Sequence, residues 1–109
     1  MESLKKNSEF QIVYKQGKSF ANKYLVMYIR KNESEKNRVG ISVSKRVGNS
    51  VVRHRITRLI RESYRLNEKN FAAGYDIAVI ARVAAKGRGY EDMERAMLHL
   101  GRLHGICEK

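Results

Sequence analysis

The chain has 109 residues, which suits one compact domain spanning residues 1–109 and leaves too little for two. A hydrophobic content of 42% is enough to bury a core, so a wholly disordered tail is excluded. Lys and Arg number 23 against 11 Asp and Glu, a formal net charge of +12, and so basic a balance points to a polyanion: nucleic acid first, an anionic membrane surface second.

No stretch near the amino terminus resembles a signal peptide, and none approaches the ~20 apolar residues that a membrane span needs. Cys107 is the single cysteine. It cannot close an internal disulfide, which suits a reducing compartment, and so close to the end of the chain it is expected to be frayed and exposed. These features together read as a cytoplasmic protein with no membrane partner. Proline is absent, so turns fall to Gly, Asn and Ser.

In chain order, NSEFQIVYKQG reads as a short helix, with Asn7 or Ser8 as N-cap, Gly17 as stop, and Phe10, Val13 and Tyr14 on one face. SFANKYLVMYIRK reads as strand, broken into two pieces near Asn22. Tyr24, Val26 and Tyr28 would face one way, and Leu25, Met27 and Ile29 the other. NESEKN, residues 32–37, is a polar loop, and RVGISVSKR after it is another strand. GYDIAVIARV is nearly continuous in apolar character, as expected of a strand covered on both faces or placed centrally. KGRG, residues 86–89, is a flexible basic connection. YEDMERAMLHLGRLHG closes the chain as a helix with acids in its first turn and a buried stripe of Met93, Ala96, Met97, Leu100 and Leu103. The order α-β-β-β-α-β-α predicts an α/β (α+β) two-layer sandwich, one small four-stranded sheet with helices packed on it.

The segment between the third and fourth strands, SKRVGNSVVRHRITRLIRESYR, carries seven Lys or Arg and one acid, Glu62. Taken as helix from Val51 to Arg65, with Gly48, Asn49 and Ser50 as turn and cap, it has two sides. At ~100° per residue Val52, Ile56, Leu59, Ile60 and Ser63 share one third of the circumference. Arg55, Arg58, Arg61 and Arg65 lie opposite, with His54 and Glu62 among them and Arg53 at the border. A helix facing only solvent tends to interleave Glu with its cations at spacings of four, whereas here four arginines share a face with one Glu, leaving their repulsion largely uncompensated. Arginine dominates over lysine, and a guanidinium can fork onto phosphate oxygens or stack on a base. Lys45 and Arg46 add cations beside the helix N-terminus, where exposed backbone N–H groups favour anions. The reading is a phosphate-contacting helix; the bland alternative is a solvated basic face without a dedicated ligand.

Together GISVSKRVGNSVVRHRITRLIRE, EFQIVYKQGKSFANKYLVMY upstream and YDIAVIAR downstream resemble, in the right order, the bacterial ribonuclease P protein family. The signature is an Arg-Asn-Arg helix behind a Ser-Lys-Lys/Arg-x-Gly-Asn-Ala/Ser-Val run. This sequence departs from it at His54, where the triplet has Asn, and at Thr57, where Lys is usual; Val83 and Ala84 stand where members often have Pro. A histidine loses the amide's paired donor and acceptor, and Thr57 removes a charge.

The resemblance implies a left-handed crossover around the arginine helix, against the strong right-handed rule. It also implies that the catalyst is a partner RNA, which requires magnesium and removes the 5′ leader of precursor tRNA, while the protein binds no cofactor or metal with its own side chains and is inactive alone. Lys45, Arg46, Asn49, Arg53, His54, Arg55, Arg58, Arg61 and Arg65 would then contact the catalytic RNA. Phe10, Tyr14 and Tyr28 would line a cleft for the leader, with Ser19, Asn22 and Lys23 on the same rim, since single strands are held by stacking over a basic groove. For Phe10 a plain core role stands open beside this. Two other classes compete. A protein-only nuclease would need gathered carboxylates or a paired base, and here the acids are scattered. A ribosomal or other structural RNA-binding protein of the same fold is set aside by the motif alone.

Overall fold

The computed structural model describes residues 1–108. A two-residue strand β1 (Glu2–Ser3) precedes helix α1 (Asn7–Gln16), followed by β2 (Lys18–Ala21), β3 (Leu25–Lys31) and β4 (Arg38–Val43). Helix α2 (Ser50–Asn67) leads through a short 3₁₀ turn into β5 (Tyr75–Ala81), and α3 (Tyr90–Leu103) is the last helix. The sheet has five strands in the order β1-β4-β5-β3-β2, not the four expected. The extra strand, β1, pairs with β4 over two residues, too short to leave a period-two signal in the sequence.

β5 lies in the middle, antiparallel to β3 and parallel to β4, as its continuous apolar run requires. One face carries Leu25, Met27, Ile29, Ile77 and Val79 against Ile56, Ile60 and Tyr64 of α2 and Met93, Met97 and Leu100 of α3. The other face carries a smaller cluster of Leu4, Val13 and Ala78, packed on by Phe10, Tyr14 and Tyr28. Helix α1 therefore sits alone on one side and α2 and α3 on the other. The expectation for Tyr24 fails. It precedes β3 proper and packs against the larger cluster instead of following Tyr28.

The hand of the β4–α2–β5 crossover follows from the register. Tyr24–Arg82 and Asn32–Gly74 are hydrogen-bonded pairs, at 2.8 and 3.0 Å, so even-numbered β3 residues aim their peptide groups at β5. Among these, Tyr28 has its side chain on the α1 face. For L-residues, an upward strand whose side chain points at the viewer has its hydrogen-bonded neighbour on the right. Seen from α1, β5 is thus right of β3, with β4 beyond it and both running down. Viewed instead from α2 with β4 upward, β5 falls on the left. The crossover is left-handed, against the usual rule.

Two polar locks position the sheet. Asp76, 1% exposed, takes two hydrogen bonds from Arg38 at 2.9 and 2.7 Å and one from Asn32 at 3.0 Å. Arg38 also reaches Glu9 of α1 at 2.7 Å, which ties that helix to the sheet. Glu9 accepts from the backbone N–H groups of Lys6 and Lys5, both at 2.9 Å, and these with the Arg38 charge hold its carboxyl down at about 2. Asn37 is the second lock: it donates to the Tyr64 hydroxyl at 3.0 Å and to the Ala72 carbonyl at 2.8 Å, and accepts from Tyr75 N–H. Cys107 is buried, not exposed, because Ile106 and Cys107 fold back against Phe71 and Gly101. Leu103, expected in the buried stripe of α3, is 44% exposed at the helix end. No helix among the described residues is long and apolar enough to cross a membrane.

Candidate nucleic-acid interface

Helix α2 starts where the sequence says it should. The Asn49 side chain accepts from Val52 N–H at 3.0 Å, filling one of the unpaired donors of the first turn. That fixes the Asn49 side-chain oxygen as a cap and leaves its amide NH2 to donate to an outside ligand. Gly48 is required by close approach: a Cβ there would stand 2.7 Å from Val52 Cγ1. Val47, 2% exposed, pins the preceding turn and leaves Lys45 and Arg46 pointing into solvent.

The buried stripe of α2 is Ile56, Ile60, Ser63, Tyr64 and Asn67, with Val52 and Leu59 at its margin. His54, Arg55, Arg58 and Arg61 are exposed on the outer side; the first three line an open groove with Ser50, Val51, Leu59 and Glu62, and Arg61 lies outside it. None of these three arginines has a carboxylate partner among the described residues. Arg65 differs. It grips Glu62 with two hydrogen bonds, Nε at 3.0 Å and Nη2 at 2.5 Å, and this holds the Glu62 carboxyl below its usual range. Arg65 thus belongs to an internal pair, a three-residue spacing that the sequence reading placed on the charged face without pairing it.

Arg53 is half-buried, in a groove between β4 and α2 lined also by Ile41, Ser42, His54 and Thr57. Its Nε is buried with no partner among the described residues. Thr57, which stands where a lysine is usual, turns its hydroxyl back to the Arg53 carbonyl at 2.9 Å and so is satisfied within the helix.

The aromatic residues assemble on the opposite face of the sheet. Phe10 and Tyr14 have ring centroids 6.1 Å apart, and Tyr14 meets Tyr28 edge-on at 4.9 Å. Gly40 makes this possible, since a Cβ there would come within 2.4 Å of Phe10 Cζ. Burial, with the neighbouring Tyr28, raises the Tyr14 phenol, so its hydroxyl stays protonated at neutral pH. All three rings are half-buried, packed against the cluster of Leu4, Val13 and Ala78. Phe10, Tyr14, Asn7 and Gln11 line a cleft whose far wall is Ile41 and Ser42. The same two residues line the groove beneath Arg53, so the aromatic cleft and the basic helix meet across β4.

Ser19 pairs with Tyr28 in the β2–β3 register, which puts it on this aromatic face. Asn22 and Lys23 are elsewhere. Asn22 closes the β2–β3 turn by accepting from Tyr24 and Leu25 N–H, and it donates to the Ala96 carbonyl of α3 at 3.0 Å. Lys23 lies over the Tyr24 ring, 5.6 Å from its centroid, beside α3. The expected rim is therefore split between two sides of the molecule. Sequence reasoning missed Gly40, Ile41 and Ser42 as cleft residues, because nothing in a strand pattern says which end of it faces α1.

Comparison with known proteins bears on the whole chain. Residues 1–103 match the family model described as Ribonuclease P. The "Ribonuclease P protein component" of Lachnoclostridium phytofermentans is 62% identical over 105 residues, 96% of this chain and 90% of that protein. Its counterpart in Clostridioides difficile is 54% identical, over 91% of this chain and 88% of that one. Among solved structures, the Staphylococcus aureus RNase P protein superposes with a TM-score of 0.90 at 38% identity, covering 99% of both chains. The Thermotoga maritima RNase P protein gives 0.85 at 31% identity, over 94% of this chain and 97% of that one.

Proposed function

Since the chain belongs to the ribonuclease P protein family, we propose that its two surfaces divide the work, the outer face of α2 docking on the catalytic RNA and the aromatic cleft holding the 5′ leader of precursor tRNA. The protein is a component of the ribonucleoprotein that processes tRNA 5′ ends. Bond cleavage belongs to the RNA and its magnesium; the protein contributes positioning and charge. Four of the acids are engaged in structure, which is consistent with this: Glu62 with Arg65, Asp76 and Glu9 with Arg38, Glu94 with Tyr90 and Asn67.

The observation that carries the reading is the row of exposed Arg55, Arg58 and Arg61, none of them hydrogen-bonded or ion-paired to a carboxylate among the described residues, flanked by the half-buried Arg53. Lys45, Arg46 and His54 extend this surface, and the Asn49 amino group borders it. Like charges held together on one helix repel until a polyanion neutralises them and releases its counterions. Phe10, Tyr14 and Tyr28, with Ser19 beside them, would give the leader a stacking wall, worth ~1–3 kcal/mol per base.

The test is binding of the ribonuclease P RNA across a salt series. The double variant Arg58→Ala/Arg61→Ala should weaken binding and flatten the log–log salt slope by about two, with thermal unfolding unchanged. Adding the native protein to that RNA at low magnesium should restore leader removal. An unaltered slope would remove the assignment of α2.

A further inference from the structure

Beyond those two surfaces, we propose a third RNA contact: a phosphate-binding groove between the β2–β3 turn and the outer face of α3, which takes the backbone of the same structured RNA that α2 engages. It rests on the reading of α2 given above, and extends it to a part of the molecule on which that reading makes no claim.

The groove is lined on one side by Asn22, Lys23 and Tyr24 and on the other by α3. Arg95, His99 and Arg102 line it along α3 at spacings of four and three, so they form one stripe. Tyr24 is the organising residue. Lys23 Nζ lies 5.6 Å and Arg88 Cζ 5.3 Å from its ring centroid, so one aromatic ring gathers two cations. Neither cation has an ion pair among the described residues. Two positive groups collected around one ring, facing Arg95 across the groove, make a pocket of like charge that an anion would relieve. Negative charge near it is sparse. Asp92 lines the groove, and Glu91 touches Arg95 at 3.8 Å with both side chains highly exposed, a weak pair. Glu94 is directed away from this groove, towards Tyr90 and Asn67.

The frame is stiff. Asn22 is fixed by Ala96 and stands 3.2 Å from His99 Nδ1, and the Arg82 guanidinium donates to the Asn22 carbonyl at 2.7 Å. A stiff frame fixes the backbone from which Lys23 and Tyr24 project, so only the cationic side chains remain to be ordered on binding.

What points to structured RNA, not the leader, is position. The aromatic cleft is on the α1 face, whereas this groove is beside α3 on the other. Its link is to α2: Arg55 Nη1 donates to the Arg88 carbonyl at 2.9 Å, which joins the arginine helix to the 86–89 connection. Positive surface then runs from α2 over Arg88 and Lys23 to the α3 stripe. Lys23 belongs to this surface and not to the leader rim.

The experiment compares three proteins for binding of the ribonuclease P RNA over a salt series, together with their preference for precursor tRNA with a long leader over a trimmed one. These are the native chain, Lys23→Ala/Arg88→Ala/Arg95→Ala, and Arg58→Ala/Arg61→Ala. The groove variant should bind the RNA about tenfold or more weakly, with a salt slope shallower by about two to three and an unchanged leader preference. If it binds as the native chain does while the α2 variant is impaired, the groove is not a contact and the reading of α2 stands. If leader preference falls instead, the groove serves the substrate and the assignment to the RNA subunit is overturned. Should the triple variant fold poorly, Lys23→Gln/Arg95→Gln at two exposed positions reads the same slope, with a decrease of about two expected and no decrease counting against the proposal.

Discussion

Single residues in this protein carry roles that their chemical type only half announces. Arg65 and Arg61 are alike in the sequence, yet one is bound to Glu62 and the other is open to solvent. His104 shows the same divergence. Its Nε2 lies 2.9 Å from the Met27 carbonyl, its ring meets Phe20 edge-on at 4.7 Å, and its Nδ1 is buried with no partner among the described residues. Burial holds the imidazole below its ordinary value, and the nearby Lys18 charge pushes the same way, against the Met27 bond. A lowered folded pKa means that the unfolded chain takes up the proton first. Stability is then complete above the unfolded value of ~6.5 and declines as pH drops from there towards the folded pKa. The variant His104→Gln, which can still donate to Met27, should show a smaller loss of melting temperature between pH 7 and pH 5 than the native chain. Parallel melting curves in the two proteins would contradict this.

At the scale of elements, periodicity made the helices legible and long-range pairing made the rest illegible. Ile56 and Ile60 in α2, and Met93, Met97 and Leu100 in α3, are the residues that a 3.6-residue repeat selects, and they form the core. The charged face of α2 was legible for the same reason. Tyr64 is wholly buried and was not selected, because its hydroxyl is satisfied by Asn37, 27 residues away. The hydrogen bonds of Asp76 to Arg38 and of Asn22 to Ala96 are equally invisible to local reading, spanning 38 and 74 residues.

Gly40 is the most consequential of the unread positions. Its missing Cβ lets α1 lie on the sheet with Phe10 against the strand. Gly40→Ala should push Phe10 outward, destabilise the protein by roughly 1–3 kcal/mol and weaken binding of leader-bearing substrates, while affinity for the catalytic RNA is retained. Denaturant unfolding and parallel binding assays would check both parts. An equal loss on both RNAs would mean that α1 and α2 are not independent.

The whole molecule is built so that they can be. It measures 36 × 31 × 22 Å, well beyond the ~8 Å over which exposed charges are felt at physiological salt. Cations on the outer face of α2 and beside α3 therefore act locally, while the groove of Arg53 adjoins the cleft beneath α1 across β4. Separate chemistry should give separable phenotypes. Tyr14→Ala should weaken precursor tRNAs with long leaders more than trimmed ones and leave the salt slope for the catalytic RNA unaltered. A uniform loss on both substrates would make the ring a packing residue only.

The left-handed crossover has a mechanical corollary. Helix α2 is tethered at its two ends to β4 and to the central strand β5, which are neighbours and parallel along six rungs, from Arg38–Asp76 to Val43–Ala81. Tension applied to that helix by a heavy RNA would load those rungs in shear, all at once, instead of peeling an outer strand one bond at a time. If α2 is the docking surface, load from a far larger partner would fall on these rungs together and would not peel the outermost strand.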